Sequence, residues 1–496
     1  MNNTAIYEYV DAHLDQTIEE LQELISVPTV SGTSSDMQRG AELVASHYKS
    51  LGCTEVEIVD TPTQPGVWAY FDAGATLTLA SYGMYDVQPV GQESEWEHAP
   101  FGGTLASMGD LPAVIYGRGA LVPKGPHIAW MAALKAIHHV TGTLPVNIMF
   151  LTEGDEIVGS PSYLWMIERY DKRLEEIDAC FYLRAAQNRR GEVPLVLGYK
   201  SFITLELEAS GERWGRGPTT GPAHSATAPI VDSVPLRLAR ALSSLYTDAG
   251  DIGIPQWREV LALDEIPEAD TESFRALADM LTERPLDELI PGLAGAGVSR
   301  FHGSDEAESA LQRYIYGSSL NIQGIRSGYI GPGTRTFTSP ERAIARLDAR
   351  LVTSASPEEL VSGLRDHLQA SGFGDIEVNV LGSYPGSRTA PESGLVKAFL
   401  RAADRAGAQV VVWPIQGYGG PWSVLSRRYG ADVVFATGIG CGGGVGQADE
   451  YLVIDGGGTV PGLREMIHFC VDVVLDYAGR EMSRRPAIKA ESEDGS

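Results

Sequence analysis

The stretch NIMFLTEGDEIVGS (147–160) decides how the rest of the chain is read. Its first half is a short, uninterrupted apolar run of the kind that forms a buried strand. Its second half turns polar and places Glu156 three residues before a glycine. Working outward, VEIVD (56–60), GVWAYFD (66–72) and TLTLASY (76–82) also read as strands. Residues 4–25 and 36–51 have apolar positions every three to four residues and predict amphipathic helices. A further long helix is predicted from Gly125 to His139. Strands alternating with helices imply a mostly parallel sheet covered on both faces.

The pattern changes after Gly198. FITLELEAS (202–210) and AIARLDARLV (343–352) alternate with period two, PEELVSGLRDHLQA (357–370) is helical, and DIEVNVLG (375–382) is a strand. A helix near 230–246 and an acidic, proline-bearing stretch at 249–310 lie between them. The expected organisation is an α/β domain, 1–199 plus 387–496, interrupted by an α+β insert, 200–386. The polar tail from Met482 is expected to be disordered.

Composition narrows the function classes. A chain of 496 residues with 43% apolar content suits a folded protein of two domains. Its net charge of −27 disfavours nucleic acid and anionic membranes as partners. There is no apolar run of membrane-spanning length, and the polar N-terminus does not read as a signal peptide. Four scattered cysteines, Cys53, Cys180, Cys441 and Cys470, suit a reducing compartment, and a cytoplasmic protein is expected.

Three motifs carry a resemblance: SYGMYDVQPV (81–90), YGRGALVPKGP (116–126) and TEGDEIVGS (152–160). They resemble those of the di-zinc aminoacylase and dipeptidase family, which includes carnosine dipeptidase, acetylornithine deacetylase and succinyl-diaminopimelate desuccinylase. SLNIQGIRSGYIGPGTRT (319–336), GPAHSA (221–226) and ARLV (349–352) are similar to its lid-domain segments. The resemblance implies a zinc-exopeptidase-like catalytic domain with an inserted lid and dimerisation domain. It also implies zinc ligands at five positions, which here hold Met84, Val122, Ile157, Arg184 in DACFYLRA (178–185), and Gly446 ahead of ADEY (448–451). None of these side chains suits zinc. No metal and no other cofactor is therefore expected.

The same resemblance makes Glu156 the general base and Asp86 the carboxylate that orients it. It makes His224 an oxyanion-stabilising residue reaching across a dimer, and Arg350 and Asn321 the holders of a substrate carboxylate. An arginine grips a carboxylate with two parallel hydrogen bonds, so the expected ligand is a small molecule with an acid group. Met84, Val122 and Ile157 would surround Glu156 with apolar groups and raise its pKa. Arg184 restores one cation, to bind substrate or to neutralise Glu156 and Asp86. Glu156 also reads as the partner of Arg184 or Lys124 in a structural ion pair. Lys124 and Cys441 complete the candidate pocket; Cys441 reads either as a nucleophile or as an inert buried thiol. The glycines of GIGCGGGVGQADEY (438–451) read as turns or as an anion-binding nest.

These residues point to a metal-independent enzyme acting by acid/base chemistry on an amino-acid-, dipeptide- or N-acyl-amino-acid-like substrate, by amide or acyl transfer, cyclisation or proton transfer. Two alternatives stand beside it: a catalytically silent binding or assembly protein, and a conventional metal-dependent dipeptidase or amidohydrolase. A homodimer through the lid domain is expected in each case.

Overall fold

The computed structural model describes residues 3–479, apart from 33–35, 262–264, 291, 330 and 332–336. The tail expected to be disordered, and the end of the 319–336 segment, lie outside the described residues.

The central sheet has six strands. In spatial order they are Glu55–Val59, Gly66–Phe71, Asn147–Glu153, Thr78–Met84, Ala179–Leu183 and Asp432–Thr437. The last four run parallel to one another, and the first two join antiparallel at one edge. Every residue of Asn147–Glu153 is buried, which explains its unbroken apolar run. Asn147–Glu153 and Thr78–Met84 are in register, so Met84 pairs with Glu153 at their C-terminal ends.

Helices cover one face of this sheet. Gly125–Thr141 is the longest of them, opened by Pro126 and stopped by Gly142 at φ 82°. It packs with Met37–Leu51, Gly394–Arg405 and Leu463–Ala478 in the larger core. The opposite face is covered in part by the acidic stretch. Phe274, Leu277, Leu286, Leu311 and Ile315 join Tyr82, Met84, Trp413 and Trp422 in one apolar cluster. The helix expected over 4–25 is two helices, Thr4–Ala12 and Leu14–Ile25. At the break, the His13 ring stacks on Tyr9 and its Nδ1 lies 2.8 Å from the Tyr9 carbonyl.

A second sheet is antiparallel, in the order Ser319–Arg326, Arg342–Leu351, Ser201–Ser210, Glu377–Tyr384. Alternation puts Ile203, Leu205, Leu347 and Leu351 against the helices Val234–Ser244 and Pro357–Ala370. The opposite face carries Arg346, Asp348 and Arg350. Gly198–Tyr199 pairs with Ser387–Arg388 where the chain enters and leaves this part.

A small four-stranded sheet has no counterpart in the sequence reading. It joins Thr104–Met108, Leu111–Tyr116, Tyr451–Asp455 and Gly442–Gly443. The glycine-rich run is thus partly strand, and Cys441 lies beside it in a separate apolar cluster with Leu111, Val114 and Val453.

Candidate active site

Strand ends build the site. Met84 and Glu153 close adjacent strands, Asp86 follows Met84, and Glu156 opens the short turn Glu156–Val158. Two neighbouring acids fix that turn. Asp86 is fully buried; its Oδ2 accepts from the Ile157 amide at 3.0 Å and from the Ser31 hydroxyl. Asp155 accepts from the Ser162 hydroxyl and, at 3.3 Å, from the Ser162 amide, tying the turn to the helix Pro161–Arg169.

Three carboxyl groups therefore crowd together: Asp86, Glu153 and Glu156. Burial pushes Glu156 up to about 7; the Asp86 charge adds to this and the Arg184 guanidinium opposes it. Burial raises Asp86 to about 6 despite its hydrogen bonds from Ser31 and the 156–157 amides. Glu153 is held well above the usual carboxylate range by burial and by Asp86. Its Oε1 accepts from the Tyr82 hydroxyl at 2.6 Å. Three like charges in so little space cannot all ionise, so protons reside here near neutral pH.

Among the described residues, Asp86 Oδ1 and Glu153 Oε2 are buried without a hydrogen-bond partner, as is the Tyr182 hydroxyl. Tyr182 senses the charges of Glu156, Arg184, Asp86 and Glu153, which places it within the same cluster. Arg184 also influences Tyr418, on the loop after Trp413. Sequence reasoning missed Glu153, Tyr82 and Tyr182. The signal was available: in buried strands that otherwise carry apolar side chains, a polar group at the C-terminal end faces the site.

The other site expectations meet mixed outcomes. Met84 is buried against aromatic residues, Ile157 is half-buried beside the same cluster, and Val122 packs on the opposite core. Gly446 sits at φ 73°, and a Cβ there would lie 2.0 Å from Gln88 Oε1, so the Gln88 amide fills the space a side chain would take. Lys124 does not join the carboxylates. It is buried, its ammonium donates to the Val27 carbonyl at 2.7 Å, and burial pushes it down to about 7, with Glu450 as its opposing charge. The Cys441 thiol donates to the Gln187 carbonyl, and burial raises it to about 11, which favours the protonated thiol.

The lid residues stand apart from the carboxylates. Asn321 donates to Asp348 Oδ2 at 2.9 Å. Arg350 stacks 4.0 Å over Phe202 and reaches Asp348 only at 3.5 Å. His224 is exposed, and its Nδ1 accepts from the Ala226 amide, leaving Nε2 outward.

The motif-bearing loop 117–124 has its own anchor. Arg118 and Glu450, each 1% exposed, pair at 2.8 Å. Glu450 Oε1 accepts from the Leu121 and Val122 amides at 3.1 and 3.2 Å. Charge-assisted bonds of this kind fix the path of a loop.

The side chains at the five positions where the family implies zinc ligands do not fit that metal. Two carry no donor, one is a thioether, one a guanidinium and one a glycine. Among the described residues, no three His, Cys, Asp or Glu side chains converge closely enough to hold a metal ion.

Comparison with known proteins agrees with the fold. The human Beta-Ala-His dipeptidase is 26% identical over 387 residues, covering 73% of this chain and 71% of the relative. The Cys-Gly metallodipeptidase dug1 of Schizosaccharomyces pombe is 24% identical, covering 74% and 76%. The structure superposes on an M20 family metallo-carboxypeptidase, Sso-CP2, from Sulfolobus solfataricus with a TM-score of 0.78, 27% identity and coverage of 93% and 99%. It superposes on the Saccharomyces cerevisiae dipeptidase Dug1p with a TM-score of 0.72 at 19% identity, covering 97% and 99%. Residues 80–459 match the model of Peptidase family M20/M25/M40, and this span holds the three motifs, the antiparallel sheet and the carboxylate cluster together. The chain belongs to that peptidase family.

Proposed function

We propose that this chain acts on a small carboxylate-bearing amide or acyl compound, of the dipeptide or N-acyl-amino-acid class, by acid/base chemistry that does not pass through zinc. The observation that carries this reading is the buried Glu156 carboxyl, raised to about 7 by burial, with the Arg184 charge acting on it. A carboxyl that titrates near pH 7 can take a proton from water or an amine and return it. A guanidinium beside it offers fixed donors to an oxygen that gains negative charge. Tyr182 supplies a third group, a hydroxyl without a hydrogen-bond partner among the described residues. Arg350, whose contact with Asp348 is long at 3.5 Å, suits the ligand's acid group.

The lid supports a dimer as part of this reading. His224 is exposed on a segment that also carries Ile230, 87% exposed, and it pairs with a second segment that carries Phe337, 62% exposed. A two-fold pair would cover these apolar groups and bring His224 to a partner's site.

A second reading, a metal-dependent dipeptidase, is favoured by the relatives' dipeptidase and metallodipeptidase names and by the unpartnered oxygens of Asp86 and Glu153. One experiment separates the two. Turnover of a dipeptide and N-acyl-amino-acid library is measured with and without chelator, alongside elemental analysis. Chelator-insensitive turnover in protein without stoichiometric metal supports the first reading. Loss on chelation with recovery on adding zinc establishes the second.

A further inference from the structure

We infer that the acid-binding end of the site opens into an apolar chamber that accepts a large nonpolar group on the carboxylate-bearing part of the ligand. This rests on the proposed function for the role of Arg350 and goes beyond it in naming what the ligand carries next to its acid.

A cavity of about 510 Å³ adjoins Arg350. That is within the range of small-molecule sites, roughly 300–1,000 Å³. Its walls come from the acidic 249–310 stretch: Leu286 and Ile290 are buried, while Leu293 and Phe301 are half-buried and face open space. Leu320 and Tyr314 complete it from the lid strand and the helix before it. Apolar side chains that line a void lack the packing partners that a ligand's carbon atoms would supply.

The polar groups are confined to the rim and mostly committed. Lys200 donates to the Tyr314 carbonyl at 2.7 Å and to the Gly317 carbonyl at 2.5 Å, holding the rim in place. At the far end Asp251 is paired with Arg313 and with His302, at 3.2 Å for the histidine. Arg350 differs: its ion-pair contact with Asp348 is long, at 3.5 Å, and its guanidinium lies over the Phe202 ring. Tyr314 links the chamber to the catalytic side: it senses the Arg350 charge, and its hydroxyl donates to Gln416 Oε1 at 2.8 Å. Gln416 neighbours Gly417, which lines the cavity, and Tyr418, which senses Arg184. A ligand with its acid on Arg350 thus has the apolar chamber directly beside that acid.

The chemistry is that of an amphiphilic carboxylate, which an n-alkanoate or a C-terminal residue with an apolar side chain could supply. Equilibrium binding to the full chain distinguishes them. One arm uses acetate, butyrate, hexanoate and octanoate, with octanamide as the uncharged control. The other uses Gly-Gly, Gly-Leu and Gly-Phe. Affinity is expected to rise about three- to four-fold per added methylene in at least one arm, at one site per chain. Phe301→Glu and Leu293→Ser should flatten that rise, and Arg350→Gln should erase the advantage of octanoate over octanamide. Phe301 and Leu293 are both half-buried, so if one variant fails to fold, the other still reads the chamber. Affinity that does not change with chain length in either arm, or a rise that survives in a folded Phe301→Glu or Leu293→Ser variant, overturns the inference. Chain-length-dependent binding without turnover leaves the chamber standing and counts only against the catalytic reading.

Discussion

Replacing Glu156 with glutamine should change the pH dependence of stability in a defined direction. The native carboxyl sits near 7, against about 4.5 in an unfolded chain. Below about pH 4.5 it is protonated in both states and contributes no difference. As pH rises toward 7 the unfolded chain releases this proton and the folded one does not, so folding becomes progressively less favourable. Above 7 the penalty is constant, at about 2–3 kcal/mol once partial solvent access is allowed for. Glutamine has no proton to lose, so Glu156→Gln should gain about that much relative to the native protein between pH 4.5 and pH 8. Urea unfolding of both proteins at pH 4.5, 6 and 8 measures it, and taking the difference removes the background of the other acidic groups. A difference that stays constant within about 0.5 kcal/mol across this range would refute the reasoning. It would mean that Glu156 is ionised throughout, held in an ion pair with Arg184.

Other outcomes follow from the same geometry. Glu156→Gln should lower turnover by about 10²–10⁴-fold while ligand binding persists, and the native pH–rate profile should show a limb near 7 that the variant lacks. Arg350→Lys keeps the charge but not the planar fork, and should weaken an acidic ligand by about 1.5–3 kcal/mol in calorimetry. Elemental analysis of purified protein should show less than one zinc per chain. Light scattering at micromolar concentration should give a dimer mass, and Ile230→Asp should shift it toward monomer.

The period of the apolar residues made most of the fold legible. The buried run at 147–153 and the alternation at 202–210 and 343–352 reach the structure as strands of the two main sheets. Sequence spacing could not show which face the acidic stretch covers, because Phe274, Leu277 and Ile315 become core only when the central sheet lies against them. The same limit applies at the site. Glu156, Asp86 and Arg184 could be found by motif. Glu153 ends an apolar run, but that it pairs with Met84 on the neighbouring strand is shown only by the strand register. Lys124 and Cys441 looked like pocket residues because they adjoin motif positions, yet their side chains turn to Val27 and Gln187. Adjacency in sequence does not fix the direction of a side chain.

The loops around the motif positions are held in a form that still positions chemistry. Arg118 and Glu450 form a fully buried ion pair, and breaking such a pair costs far more than a surface contact. Glu450 also holds the two amides of Leu121 and Val122, so the path of this loop is fixed. Asp86 likewise fixes the Glu156 turn through the Ile157 amide. A scaffold serving only to fold would gain nothing from three crowded carboxyl groups, whose burial is destabilising near neutral pH. Groups held at such a disadvantage concentrate at functional sites. Arg184 lowers that disadvantage without removing it. Silencing Arg184 alone, as Arg184→Met, should therefore drive the Glu156 limb of the pH–rate profile upward from about 7. A limb that stays in place would show that Arg184 does not face the carboxyl it is proposed to serve.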